Sequence, residues 1–253
     1  MMQGMRTLFL IGAIALLALP AVAMREPGTL ARTYFVKAKP SMVQPFEAAY
    51  KRHIAWHRQQ RDTWTWHTWQ VETGEQFGQY VIRTPGHHWE DFDARGEFHA
   101  ADEAHWVANV AQYVESVSST IVAYRPDLSR WPEGEIPALA SVFQFHLNYG
   151  GSQEFDYAIK KIDQAIEKSH WPGHYSLLSV VSGSEVPTSI VVIPHRNWAA
   201  MKAPEKPLWT MIEEVYGRQE AQRLRDLFAK TVHCERSFMV RFRSDLSYQP
   251  AEQ

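Results

Sequence analysis

The segment Val81 to Phe92, VIRTPGHHWEDF, recurs once, shifted by 109 residues, as Ile190 to Met201, IVVIPHRNWAAM. In both copies an apolar run ends at a proline and a tryptophan follows four residues later: Pro85 with Trp89, Pro194 with Trp198. The register holds upstream. Phe46, Ala49, Tyr50 and Lys51 fall on Phe155, Ala158, Ile159 and Lys160, and Tyr34, Val36 and Ala38 fall on Phe143, Phe145 and Leu147. Downstream the offset grows by nine, so that YRPDLS from Tyr124 matches FRSDLS from Phe242; the spare residues belong in the long second helix of the second copy. Two matched units of this length are a tandem duplication. Two copies are too few to stack as a solenoid, so the halves are expected to pack on each other.

Each unit reads as the same succession of elements. In the first, Thr33 to Lys39 alternates as a strand, and Ser41 caps a helix through Gln60 with a stripe of Phe46, Tyr50, His53 and His57. Thr63 to Val71, TWTWHTWQV, is an alternating strand that turns at Thr73-Gly74 into a partner from Phe77 to Thr84. A second helix is expected over His88 to Glu115, with a break near Gly96, followed by a strand from Val117 to Arg125. The second unit repeats this with strand Ala140 to Tyr149, helix Ser152 to Ser169, strands Tyr175 to Ser182 and Thr188 to Ile193, helix Trp198 to Lys230 and strand Arg236 to Arg243. The organisation is therefore α+β: unit one over 32–129, a proline- and glycine-bearing linker over 130–138 and unit two over 139–248. A βαββαβ unit is the split ferredoxin-like motif, whose antiparallel sheet carries helices on one face only. In a tandem duplicate each sheet can cover the other, face to face, as a barrel.

Residues 1–23 read as a signal peptide. Arg6 opens it, Thr7 to Pro20 is an apolar run short for a membrane span, and Ala21-Val22-Ala23 fits the cleavage pattern with Met24 as the mature start. The mature chain is expected to be periplasmic or secreted, without a stable membrane anchor. Cys234 is the single cysteine, so stability must come from packing rather than an intrachain disulfide. A formal charge of −2 gives no basic footprint, which argues against nucleic acid as a partner.

With its element order, and with a tryptophan and an apolar residue opening each second helix (Trp89 and Phe92, Trp198 and Met201), the chain resembles the dimeric α/β-barrel superfamily over about residues 32–247. It does so with both halves in one polypeptide. The superfamily includes antibiotic-biosynthesis-type monooxygenases, NIPSNAP-like proteins and haem-degrading enzymes. The resemblance implies a ferredoxin-like fold, a small-molecule ligand and scope for homo-oligomers. Haem-degrading members use a second-helix histidine with a first-strand asparagine. Here the second helix of copy one has His99 and His105, but its first strand has Lys37 and no asparagine. Copy two has Asn148 at the end of its first strand but no histidine between Trp198 and Lys230.

Two sets of residues are candidates for chemistry. If Tyr34, Trp64, Trp66, Tyr80, Val122, Phe143, Phe145, Val240 and Phe242 face the helices, alternation puts Lys37, His67, Trp69, Arg83, Gln144, His146, Asn148 and Arg241 on the opposite face. Three fixed cations and two imidazoles beside aromatic rings suit an anionic or phenolic ligand; the alternative is that they sit in water at the barrel rim or satisfy each other. The second set begins with His53 and His57, spaced i and i+4 on one helix face, where the sister copy has Ile162 and Ile166. The second helix adds His99, Asp102, Glu103 and His105 as further ligand candidates for zinc or iron. The bland alternative is a pair of half-exposed histidines stacked on Trp56 or Trp106. No dinucleotide fingerprint, phosphate loop or nucleophile elbow is present.

The expected function is an exported small-molecule-binding barrel, with monooxygenase-like activity on an aromatic or anionic compound as its catalytic form. Two readings stay open beside it: a non-catalytic binding or assembly module, and a metal- or haem-binding protein built on the histidines of the first repeat. Nothing in the residues demands a cofactor, and whether the chain is an enzyme stays open.

Overall fold

The computed structural model describes residues 27–131, 134 and 136–250. The leader reading of residues 1–23 lies outside them. Unit one runs β1 (Leu30–Ala38), α1 (Val43–Gln59), β2 (His67–Val71), β3 (Tyr80–His87), α2 (Trp89–Ala94), α3 (Gly96–Asn109) and β4 (Val114–Tyr124). Unit two runs β5 (Leu139–Leu147), α4 (Ser152–Ser169), β6 (Ser176–Ser182), β7 (Thr188–His195), α5 (Leu208–Tyr216), α6 (Arg218–Thr231) and β8 (Val232–Phe242).

The eight strands, every neighbouring pair antiparallel, close into a barrel in the order β1-β3-β2-β8-β5-β7-β6-β4. Each unit contributes a four-strand sheet, and the two sheets are stitched at both edges. At one seam β2 meets β8 through Trp69↔Phe242 and Val71↔Val240; at the other β4 meets β6 through Val122↔Val180 and Tyr124↔Leu178. Each second strand thus pairs with the fourth strand of the other unit, so neither sheet is left with an open edge.

Helices pack outside the barrel over two cores. The α1 stripe Phe46, Ala49, Tyr50 and Ile54 meets Val36, Trp66, Tyr80 and Ile82; the α4 stripe Phe155, Ala158, Ile159, Ile162 and Ile166 meets Leu147, Leu177, Met211 and Leu224. Phe46 and Phe155, which the repeat places at matching positions, are both fully buried, and burying each contributes about 1.5–3 kcal/mol. Two smaller apolar clusters, one around Val71, Ala140, Phe238 and Val240 and one around Ala31, Val122 and Leu178, lie inside the barrel.

Several elements differ from the pattern-based expectation. The second helix of unit one breaks at Arg95, beside Gly96 as expected, but it ends at Asn109, and β4 begins at Val114. That of unit two becomes a 3-10 turn at Trp198–Met201 followed by α5 and α6, interrupted at Pro207 and at Gly217, whose φ is +83°. β2 begins at His67, and Trp66 makes only an isolated bridge to Tyr248. The last strand of each unit faces opposite to expectation: Val122, Val240 and Phe242 point into the barrel.

The β4–β6 seam depends on a glycine. Gly183 has φ +90°, and a Cβ there would lie 2.3 Å from the Ser119 carbonyl oxygen and 3.0 Å from the Thr120 Cα. Both the backbone conformation and the approach of β4 exclude a side chain. G183A is expected to destabilise the fold by about 1–3 kcal/mol, read as a lowered urea midpoint with an unchanged slope; an unaltered midpoint would refute the seam argument.

Candidate functional site

The turn that ends α1 builds the site. Arg61 adopts a left-handed conformation at φ +54°. The Asp62 N–H then donates to the His57 carbonyl at 3.0 Å and the Arg61 N–H to the Arg58 carbonyl at 3.2 Å. This is the Schellman ending of a helix, in which the residue after the left-handed one returns to the last turn. Here that residue is Asp62, and its carboxylate lands against the His57 imidazole, Oδ2 to Nδ1 2.8 Å.

Asp62 is held by four groups in all. Arg95, at the α2–α3 break, donates twice at 2.7 and 2.8 Å, the Trp66 indole donates at 2.7 Å and the Trp64 N–H at 3.0 Å. Burial would push the Asp62 carboxyl up, but the bonds from Arg95, His57, Trp64 and Trp66 outweigh it and hold the group well below the usual carboxylate range. An ionised carboxylate only accepts, so His57 Nδ1 carries hydrogen and Nε2 is left bare when the ring is neutral. The Arg95 guanidinium is itself sandwiched over Trp64 at 3.9 Å and Phe98 at 4.4 Å from the ring centroids.

His53 stands one turn earlier on α1, and Asp102 reaches in from α3. His53 Nε2, His57 Nε2 and Asp102 Oδ1 form a near-equilateral triangle, with sides of 3.3 Å between the nitrogens and 3.2 and 3.3 Å from the oxygen to each. Among the described residues this is the one group of three ligating side chains gathered closely enough for a metal. Ligands at 2.0–2.1 Å in tetrahedral array are about 3.3 Å apart, the spacing found. Behind His53, its Nδ1 lies 2.8 Å from the Nδ1 of His105. Burial lowers the pKa of His53, against the opposing effect of its hydrogen bond to the Asp102 carboxylate, so the ring tends to neutrality, the ligating form. Both histidines are buried, at 4% and 1% exposure, and both also stack on tryptophan: His53 lies parallel to Trp56, edge-on to Trp106, and His57 edge-on to Trp56. Stacking and convergence therefore occur together.

The triangle opens on a cavity of about 290 Å³ between the outer face of β1 and helices α1 and α3, walled by Tyr34, Tyr50, Trp66, Trp106, Val36 and Ile82. Arg32, His99 and Glu103 stand at its edge. Thus His53, His57 and Asp102 come together, His105 lies one step behind, and His99 is exposed on the cavity lining without joining the triangle. Asp62 and Arg95 belong to the site, and neither was singled out from the sequence.

The second candidate set is divided. His67, Trp69, Arg83, Gln144 and His146 line a separate cavity of about 540 Å³ inside the barrel. Lys37, Asn148 and Arg241 do not. Lys37, near the end of β1, pairs with Glu115 at 2.8 Å on the surface. Asn148 lies past the end of β5 and donates to the Lys230 carbonyl at 2.7 Å. Arg241 is on the outer face of β8, bonded to Glu72 at 2.8 Å, because that strand faces opposite to expectation.

The sequence matches no family model and no curated relative. Solved structures do match in fold. An anthrone oxidase-like protein aligns at a TM-score of 0.56 with 11% identity, over 88% of this chain and 94% of its own. A protein from Lactobacillus acidophilus NCFM provisionally named a monooxygenase aligns at 0.52 with 8% identity, over 88% and 96%. The chlorite dismutase of Candidatus Nitrospira defluvii, in complex with imidazole, aligns at 0.53 with 7% identity, over 86% and 92%. At such identities the shared property is the fold. The closed eight-strand barrel, its two βαββαβ units and these alignments identify the chain as carrying the dimeric α/β-barrel fold, with both ferredoxin-like halves in one polypeptide.

Proposed function

We propose that this chain is a metal-dependent, oxygenase-like enzyme that acts on a small aromatic compound. One divalent transition-metal ion is held by His53 Nε2, His57 Nε2 and Asp102 Oδ1. The observation that carries this reading is the triangle itself: three ligand atoms from buried side chains, 3.2 to 3.3 Å apart, facing an aromatic cavity. Two imidazoles and one carboxylate on one side of an ion are the donor set of non-haem iron oxygenases and of catalytic zinc sites. When bound, such an ion supplies Lewis acidity and open coordination positions, and iron adds redox chemistry. Asp62 fixes the tautomer and orientation of His57, as carboxylates behind metal-bound histidines do. Tyr34, Tyr50, Trp66 and Trp106 form walls suited to a planar ring and exclude water from it. The oxidase-like and monooxygenase names of the fold neighbours agree with this reading.

Haem fits the triangle poorly. A single imidazole suffices to hold haem iron, so haem would leave two of the three converging donors unused. A role outside the cytoplasm is part of the proposal, resting on the leader-like residues 1–23. Among the described residues no helix is long and apolar enough to cross a membrane.

The test is metal analysis of the purified protein, followed by titration of the chelator-treated chain with Fe(II), Co(II) and Zn(II). One ion per chain is expected, with oxygen uptake by the Fe(II) form in the presence of phenolic compounds. A chain that takes up none of the three ions would overturn the proposal.

A further inference from the structure

The interior of the barrel is separate from the metal triangle, on the opposite face of β1 and β2. Its cavity of about 540 Å³ is lined by two arginines, Arg83 and Arg236, and two histidines, His67 and His146, with no aspartate or glutamate among the described residues. Among the described residues, four buried side-chain polar atoms lack any hydrogen-bond partner: His67 Nε2, Gln76 Oε1, Arg83 Nε and His146 Nε2. All four residues line this one cavity. Buried polar groups are nearly always paired, so their concentration in one place points to something that pairs them.

The register organises these groups into a polar layer. His67 on β2 is directly opposite Arg83 on β3, Arg83 is opposite Thr33 on β1, and Thr33 is opposite Thr120 on β4. Neighbouring layers are apolar, with Phe35, Trp69, Val81, Val142 and Val192 among them. Arg83 is half-buried with its Nε fully enclosed; no ion pair to it occurs among the described residues, and a guanidinium drawn out of water ordinarily has a carboxylate or phosphate against it.

We infer that the barrel interior is a second binding site, which takes an organic carboxylate whose head sits on Arg83 and His67 and whose apolar body lies along the Phe35, Trp69 and Val81 wall. Arg236 and the connector residues Trp131, Ile136 and Pro137 line the same cavity. An apolar lining selects against small inorganic anions, and the two arginines, with no carboxylate beside them among the described lining residues, select for negative charge. The charge on Arg83 persists at neutral pH even though burial lowers its pKa to about 10, and His67, pushed down to about 4 by burial and then by Arg83, is a neutral hydrogen-bonding partner.

The experiment uses chelator-treated protein, so that carboxylate binding at a metal cannot contribute. Phenylacetate and its neutral counterpart phenylacetamide are titrated by calorimetry and by thermal shift, in wild type, R83M, R83K and H57A. Phenylacetate is expected to bind at least tenfold more tightly than the amide and to raise Tm with concentration. R83M loses that preference while its ligand-free Tm rises, and H57A keeps wild-type binding. If R83M does not fold, R83K decides: Lys cannot reproduce the planar fork, and phenylacetate affinity falls at least tenfold. Equal binding of acid and amide by wild type, no binding of phenylacetate, or full affinity in R83K would overturn the inference.

Discussion

Asp102→Asn is expected to abolish stoichiometric metal binding while leaving the chain folded. Asp102 contributes one of three convergent ligand atoms, 3.2 and 3.3 Å from the two imidazole nitrogens. Changes to groups behind a metal ligand cost about 10–100-fold in affinity, and loss of a ligand itself should exceed that range. His105→Ala, which removes the partner behind His53, should fall inside it. The metal-free stability of D102N is expected to equal or exceed that of wild type. Without an ion, two imidazole nitrogens and a carboxylate oxygen face one another, and an amide can donate where a carboxylate cannot. The pairing of results is diagnostic, because a purely structural cluster predicts the opposite: lost stability and no change in metal uptake. Wild-type metal affinity in D102N, measured by competition with a chromophoric chelator, would sink the triad.

The duplication was legible because its strongest markers are backbone and core requirements. Pro85 and Pro194 both lie within the last three residues of a strand, and Phe46 and Phe155 both anchor the first helix of their unit. Strand faces were legible where one face is polar. His67 and Trp69 enter the barrel while Trp64 and Trp66 pack toward the helix side of unit one. The rule failed on β8, where Phe238, Met239, Val240 and Phe242 give both faces apolar residues, and on β4 for Val122. A strand covered on both faces has no alternation to read. That failure put Arg241 in the cavity and left Arg236 out of it.

Within the metal site, the spacing of His53 and His57 against Ile162 and Ile166 was informative because isoleucine marks a buried position and a buried imidazole needs partners. Asp62 carried no such mark. It reaches His57 through a left-handed residue that is usually glycine, and here that residue is Arg61. Arg95 was hidden for a related reason: it lies at a helix break that the sequence placed near Gly96 without indicating which side chain would turn inward.

Asp62→Ala is expected to be the most destabilising single substitution at the site, by about 3–5 kcal/mol, because it strands a buried guanidinium. Arg95 is 9% exposed and both of its bonds to Asp62 go to this one carboxylate; the Trp66 indole and the Trp64 N–H lose their acceptor at the same time. The Coulombic partner is what matters rather than packing volume, so the double variant Asp62→Ala with Arg95→Met should recover part of the loss by removing the charge left behind. Urea midpoints of the two single variants and the double variant close the cycle, and strictly additive losses would rule out the coupling. Asp62→Asn separates stability from metal orientation. An asparagine oxygen can still accept from Arg95, but it no longer brings a full charge to His57 Nδ1. Metal affinity should therefore fall about 10–100-fold, with a smaller stability loss than in Asp62→Ala. Unchanged affinity in Asp62→Asn would mean that the Asp62–His57 contact is only a helix-end lock, and that the triangle binds without it.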